Sequence, residues 1–230
     1  MRRVSLTLLS TLAVLIMSAM PLPAAALGDV QVKLGCSDGS TTDLTVDSAT
    51  LAELQDAVEA MTLYPADLSC TLGTTPLLGS FGASVAEAAG ATDFVVGGGQ
   101  RAFCDFNIAV NGHSQAGVPL AAWGAVNETI PENASCGFEG ILRTEVVCVV
   151  IVDDDNAIVG TRITKSTGTF STLGFAPGRF VDWLFHEGKA DTGNPPTIAA
   201  SDPLLATNCV GPFSQPDTFV HGRILVKQGA

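Results

Sequence analysis

The sequence predicts a mainly β protein: an antiparallel sandwich or barrel of about eight strands, preceded by a small disulfide-tied α+β unit. Three observations lead there. The stretch Gly140–Thr164, GILRTEVVCVVIVDDDNAIVGTRIT, reads as one long hairpin. Within it, Val146–Val152 is a run of seven apolar residues, Asp153-Asp154-Asp155-Asn156 breaks the run, and Ala157–Thr164 resumes it. Branched side chains are stiff at χ1 and suit a pleated surface, and a polar Asp/Asn cluster between two such runs is hairpin chemistry. The unalternated run implies a strand covered on both faces. Secondly, Ala102–Asn111 and Arg179–Phe185 alternate polar and apolar residues, the signature of a strand with one face solvated. Thirdly, the chain carries six cysteines, an even number suited to disulfides.

The compartment follows from the N-terminus. Arg2 and Arg3 form a positive start, Leu6–Met20 is apolar apart from Ser and Thr, and Ala24-Ala25-Ala26 supplies small residues. Residues 1–26 are therefore expected to be a secretory signal cleaved after Ala26. The apolar stretch falls short of the roughly 20 residues that a spanning helix needs. No membrane span is expected after cleavage, and the expected location is secreted or extracellular. Removing Arg2 and Arg3 leaves nine basic against 23 acidic residues, a net charge of −14. Such a charge disfavours nucleic acid and anionic membrane as partners.

All six cysteines (Cys36, Cys70, Cys104, Cys136, Cys148, Cys209) lie beyond the cleavage point. Six cysteines allow fifteen pairings, and sequence selects none of them. The expected pairing is Cys36–Cys70, Cys104–Cys136 and Cys148–Cys209. A bridge closing a loop the size of Cys36–Cys70 would contribute about 4 kcal/mol in the chain-entropy model. None of the spacings is CxxC-like, so no structural zinc is expected.

In chain order, residues 27–73 form the small unit. Val30–Cys36 and Thr42–Val46 read as strands around the turn Ser37-Asp38-Gly39-Ser40. A helix follows, with Thr50 and Glu53 as a T-x-x-E capping box and Leu51, Leu54, Val58 and Met61 on one face. It is expected to end near Met61–Leu63, because Pro65 restricts the residue before it. Leu68–Leu72 is a third strand. Residues 74–93, rich in Gly, Ala, Ser and Thr, read as connector. Residues 94–230 form the β module. Its expected strands are Ala102–Asn111 (core face Cys104, Phe106, Ile108, Val110), Val118–Ile130, Gly137–Val152, Ala157–Thr164, Arg179–Phe185 (core face Val181, Trp183, Phe185), Thr197–Ala199 and Thr218–Lys227.

The order of short motifs carries a resemblance. Val96-Gly97-Gly98-Gly99-Gln100 precedes an alternating strand; Asn156-Ala157-Ile158-Val159-Gly160-Thr161 follows an acidic turn; His186-Glu187-Gly188, Asn194-Pro195-Pro196 and Gly222-Arg223-Ile224-Leu225-Val226-Lys227 come later. This resembles a β-module of bacterial secreted and surface proteins over Phe94–Lys227. The resemblance implies an exported all-β module and supplies no catalytic residues. The chain departs from that pattern at Asp155, at His186-Glu187-Gly188 and at Gly222-Arg223-Ile224.

Several residue types invite a chemical reading, and each has a plainer one. Gly112-His113-Ser114-Gln115-Ala116 approaches the G-x-S-x-G nucleophile elbow, but its fifth residue is Ala116 and no helical pattern follows; a hairpin loop is expected. His113, His186 and His221 would suffice for a catalytic zinc, yet they lack ligand spacing and read as solvent-facing loop residues. Asp153–Asn156 offers hard oxygen ligands, but the sixth and twelfth residues of an EF-hand loop would be Ile158 and Thr164, so a solvated turn is expected. Glu139, Glu145, Asp182 and Glu187 would supply paired carboxylates for glycoside cleavage and read instead as solvated strand faces. Asn127-Glu128-Thr129 and Asn133-Ala134-Ser135 are glycosylation sequons.

The reading is a non-enzymatic exported binding or structural module, with no cofactor and no metal, facing an unidentified extracellular ligand or surface component. An extracellular hydrolase is the second reading. It requires that some of Ser114, His113, His186, His221, Asp182 and Glu187 converge in one pocket.

Overall fold

The computed structural model describes residues 29–74, 91–202 and 209–229. The expected signal, residues 1–26, and residues 75–90 of the expected connector lie outside the described residues.

An eight-strand antiparallel barrel carries a small α+β unit on its outer wall. The N-terminal unit contains β1 (Val30–Cys36), β2 (Thr41–Val46), α1 (Ser48–Leu63) and β3 (Cys70–Thr74), its sheet ordered β2-β1-β3. The barrel comprises β4 (Thr92–Arg101), β5 (Asn107–Gln115), β6 (Val118–Ile130), β7 (Gly140–Asp153), β8 (Asn156–Ser166), β9 (Phe180–His186), β11 (Thr197–Ala200) and β12 (Asp217–Lys227). A short α2 (Thr169–Thr172) follows β8, and a two-residue β10 (Gly188–Lys189) pairs with β12. Neighbours pair in the order β4-β5-β6-β7-β8-β9-β11-β12, and β12 returns to pair with β4, Phe94 opposite Lys227 through Arg101 opposite Phe219. Closure removes both sheet edges.

Glycine makes the closure possible. At Gly97 (φ +148°) a Cβ would run into the carbonyl of Arg223, and at Gly222 (φ +116°) into that of Gly98. Between them, Gly98 has the backbone of Met61 on α1 only 3.2 Å from where its Cβ would stand. The Gly-Gly-Gly stretch thus lets β12 and α1 approach β4 together.

Alternation sorts the strands into two cores. Ile108, Val110, Val126, Leu142, Val149, Val159, Ile163, Trp183, Phe185, Phe219, Ile224 and Val226 fill the barrel. Phe94, Val96, Ala109, Ala125 and Leu225 point outward, and Leu44, Val46, Leu54, Ala57 and Met61 of the N-terminal unit cover them. This corrects one expectation. The alternating face of β5 opposite the barrel core is not solvated: Ala109, Asn111 and His113 are buried beneath the unit. An alternating strand beside a second packing element looks the same in sequence as one beside water.

Other differences are local. Ala102–Phe106 is a turn, with Cys104 and Asp105 at positive φ (58° and 55°), and β5 begins at Asn107. Cys104 and Phe106 nevertheless lie in the barrel core. The N-cap of α1 is Asp47, not Thr50; its carboxylate accepts the Thr50 N–H at 2.7 Å. That hydrogen bond also holds the Asp47 carboxyl below the usual carboxylate range. The helix ends at Leu63. The β7–β8 hairpin turns at Asp154–Asp155. Its apolar run is covered at Cys148 and Val149 but emerges at Val152, which is 54% exposed.

Three disulfides staple the fold: Cys36–Cys70 within the N-terminal unit, Cys104–Cys136 beside the β4–β5 turn, and Cys148–Cys209 from β7 to the segment before β12. No free cysteine occurs among the described residues. Such a set indicates an oxidising environment. Among the described residues, no helix is long and apolar enough to cross a membrane.

Gly160 on β8 sits directly beneath the third bridge, where a Cβ would lie 3.0 Å from Cys209 Sγ and 2.9 Å from Asp182 Oδ1, and closer still to Cys148 Sγ. Gly160→Ala is expected to block this bridge selectively. Thiol counting on the unreduced variant should find two free thiols, mapped to Cys148 and Cys209, where the parent chain has none.

Candidate functional site

The residues with chemical potential do not form one constellation. On β5, His113 and Ser114 are consecutive and point to opposite sides of the barrel wall. They lie within the strand rather than in a loop, because β5 continues to Gln115. Ser114 faces inward, is fully buried, and donates to the Val149 carbonyl at 3.4 Å. No strand-to-helix elbow is present to expose its hydroxyl.

His113 faces outward and is also fully buried, which corrects the solvent-facing expectation. Its ring stacks on Trp123, centroids 5.6 Å apart, with Phe94 at 6.2 Å on a tilt. Its Nε2 meets Asn111 Oδ1 at 2.6 Å, and Asn111 Nδ2 passes the contact on to Ser40 Oγ at 2.9 Å. Nδ1 has no partner among the described residues. Burial lowers the His113 pKa to about 3, so the ring is neutral near pH 7. It lies at the joint between barrel and N-terminal unit, in no open cleft.

His186, at the end of β9, is half-buried between two asparagines: Nδ1 lies 3.1 Å from Asn156 Oδ1 and Nε2 3.4 Å from Asn194 Oδ1. His221 is exposed and stacks on Tyr64 at 5.5 Å. Among the described residues no three His, Cys, Asp or Glu side chains are grouped to hold a metal. The acidic turn bonds to itself: Asp153 Oδ1 accepts the Asp155 N–H at 3.0 Å and Asn156 Nδ2 at 2.8 Å. These bonds, the Asn156 one foremost, lower the Asp153 pKa.

The four carboxylates read as solvated faces separate. Glu139 is exposed. Glu145, on the outside of β7, pairs with Arg162. Asp182 is 1% exposed, contrary to expectation. Its Oδ1 accepts the Cys209 N–H at 3.1 Å, and its Oδ2 accepts those of Val210 and Gly211 at 3.2 and 3.3 Å. The carboxylate is a peg over which the segment before β12 is folded. Glu187 is half-buried and accepts the Val226 N–H at 2.8 Å. Burial raises its pKa, opposed by that N–H and by Lys227.

One cluster has no counterpart among the sequence motifs. At one barrel mouth Arg101 Nη1 meets Glu128 at 2.5 Å and Nε meets Asp217 at 3.0 Å, with the guanidinium 5.3 Å from the Phe106 ring centroid. Burial pushes the Glu128 pKa upward against the pull of Arg101. Burial also opposes the charge of Arg101, but the two carboxylates outweigh it and keep the guanidinium charged. The three residues stand 116 positions apart at the extremes, on β4, β6 and β12, so no local pattern announces them. Phe103, Phe106, Phe170 and Phe175 stack edge to face around this end at 5.7–6.0 Å and close it.

Open space lies on the outside. One cleft of about 420 Å³ separates β2 from the adjoining ends of β4 and β12, lined among others by Asp43, Asp47, Phe94 and Lys227. A second, also about 420 Å³, lies at the β6–β7 connection beside Glu132 and Glu139. Neither contains Ser114, a histidine, Asp182 or Glu187. No hydrogen bond or ion pair joins any two of the six hydrolase candidates among the described residues.

Comparisons with known proteins give no match, neither to a family model, nor to a curated protein, nor to a solved structure.

Asp182→Ala leaves the backbone N–H groups of Cys209, Val210 and Gly211 without their acceptor. A hydrogen bond to a charged acceptor contributes about 1.5–3 kcal/mol, so the loss should be roughly 3 kcal/mol after partial relaxation. Chemical denaturation should show that drop, with Asp182→Asn intermediate because one carbonyl oxygen survives.

Proposed function

We propose that this chain is an exported, non-catalytic binding or structural module that works in the cell envelope or the surrounding medium. One observation carries the reading: the three fully buried members of the candidate set, Ser114, Asp182 and His113, are already spent on architecture. Ser114 is tied to Val149 inside a packed barrel, Asp182 carries three backbone N–H groups, and His113 is sealed between Trp123 and Asn111. A catalytic group must reach a substrate, and fully buried groups do not.

Further support comes from three disulfides, which suit a protein outside a reducing cytoplasm, and from the signal-like first 26 residues. The resemblance of Phe94–Lys227 to a bacterial exported β-module agrees with this reading and adds the organism class to the proposal. The strong negative charge favours basic or neutral partners over nucleic acid. Partners meet the barrel on its outer surface, because its interior is filled by side chains such as Trp183, Phe185 and Phe219.

The test is direct. The exported, unreduced protein is incubated with a fluorophosphonate probe and with fluorogenic ester, glycoside and peptide substrates. The expected result is no label and no turnover above a heat-denatured control. Labelling abolished by Ser114→Ala, or turnover abolished by Glu187→Gln, would establish the hydrolase instead.

A further inference from the structure

The joint between the N-terminal unit and the barrel has an unusual charge layout. Four ion pairs cross it. Glu53 meets Arg223 at 3.2 Å and Lys227 at 3.4 Å, Asp56 meets Lys189 at 2.9 Å, and Asp67 meets Arg143 at 2.9 Å. In each the carboxylate belongs to the unit and the cation to the barrel. Four of the nine basic residues of the mature chain thus surround one apolar face, formed by Phe94, Val96, Ala109, Ala125 and Leu225.

The covalent layout leaves the joint free to open. Cys36–Cys70 lies within the unit, and the other two disulfides lie within the barrel. No disulfide crosses between the two, and the chain linking them runs through residues 75–90.

Beneath the unit sits His113. Asn111 reaches from its ring to Ser40, and its stacking partner Trp123 donates Nε1–H to Thr42 Oγ1 at 2.9 Å. Charged groups on the surrounding elements include Asp93 and Arg101 on β4, Glu128 on β6, Arg223 and Lys227 on β12, Lys33 on β1, Asp38 and Asp43 on the β1–β2 hairpin, and Asp47 at the start of α1. Asp93 accepts the Gly229 N–H, Asp38 binds Ser40, and Asp43 pairs with Lys33. None of them contacts the imidazole among the described residues, so a proton placed on His113 would meet no counter-charge.

We propose that the N-terminal unit is an acid-released cap. It covers a cation-rimmed apolar face of the barrel near neutral pH, and it leaves that face when acid places a proton on His113. The direction follows from linkage. The docked state holds His113 neutral, with its pKa depressed from 6.5 to about 3. Docking is fully favoured above pH 6.5 and weakens as the pH falls below it, because the open state binds the proton and the docked state does not. The four ion pairs add to the hold of the unit on the barrel, so replacing their carboxylates weakens docking.

The experiment uses the mature chain from Leu27, unreduced, titrated from pH 7.5 to 3.5. Small-angle scattering reads its shape, and anilinonaphthalene sulfonate reads exposed apolar surface. Peptide-resolved hydrogen exchange across β8 and β9 checks that the barrel stays closed. Expansion and dye binding are expected while β8 and β9 remain protected. His113→Phe, which keeps the ring stack without the titrating group, should move the midpoint about one pH unit lower. Glu53→Gln with Asp56→Asn should move it higher. The proposal is overturned if shape and dye binding stay constant until β8 and β9 lose protection. It is equally overturned if His113→Phe follows the parent chain. Should that variant fail to fold, an unmoved midpoint in the Glu53→Gln, Asp56→Asn variant decides against it.

Discussion

The pairing of β12 with β4 is the constraint on which the rest of the structure depends. An eight-strand sheet of this length would otherwise present two long rows of unpaired backbone groups. Closing it requires the first and last strands of the module to meet across more than a hundred residues, Phe94 opposite Lys227. The glycines at 97 to 99 and at 222 allow that meeting, because a side chain at Gly97 or Gly222 would strike the opposite backbone. The same glycines thin the wall enough for α1 to seat on it. Closure and docking of the N-terminal unit therefore share one stretch of chain.

Closure also decides where polar groups end up. Inside, Thr161 takes the Trp183 Nε1–H at 3.0 Å and donates to the Val181 carbonyl at 3.0 Å, so the largest side chain in the barrel is buried without an orphaned donor. At one mouth the Arg101 guanidinium joins three strands through Glu128 and Asp217. Such a buried ion cluster adds little net stability over an apolar plug, but removing one member leaves an uncompensated charge. Outside, Asp182 fixes the segment that carries Cys209 beside Cys148. Polar residues that suggest chemistry in the bare sequence serve as the fasteners of a closed sheet.

Much of the fold is legible in the sequence because period-2 patterning survives at strands such as β9 and an unbroken apolar run marks β7. Val181, Trp183 and Phe185 alternate and share the interior, and the β7–β8 hairpin announces itself by its acidic turn. Less legible is what covers the second face. Ala109, Asn111 and His113 look like the wet side of a strand, and only the position of the N-terminal unit buries them. His113 therefore reads as solvent-facing when it is not. Asp182 misleads for a related reason: its partners are backbone N–H groups, which carry no residue signature. The Arg101 cluster depends on a register among three distant strands that no local window contains. The α1 cap is ambiguous in sequence because Asp47 and Thr50 both precede helical residues, and only the hydrogen bond between them shows which one caps.

The most direct measurement is amide exchange resolved by residue along β4 and β12. A closed barrel predicts that consecutive amides from Phe94 to Gln100 are all protected, to the same degree as those in β7 and β8, since β4 has a partner on both sides. If every second amide of β4 exchanges rapidly while the rest are protected, β4 is an edge strand, the sheet is open, and closure through β12 is refuted.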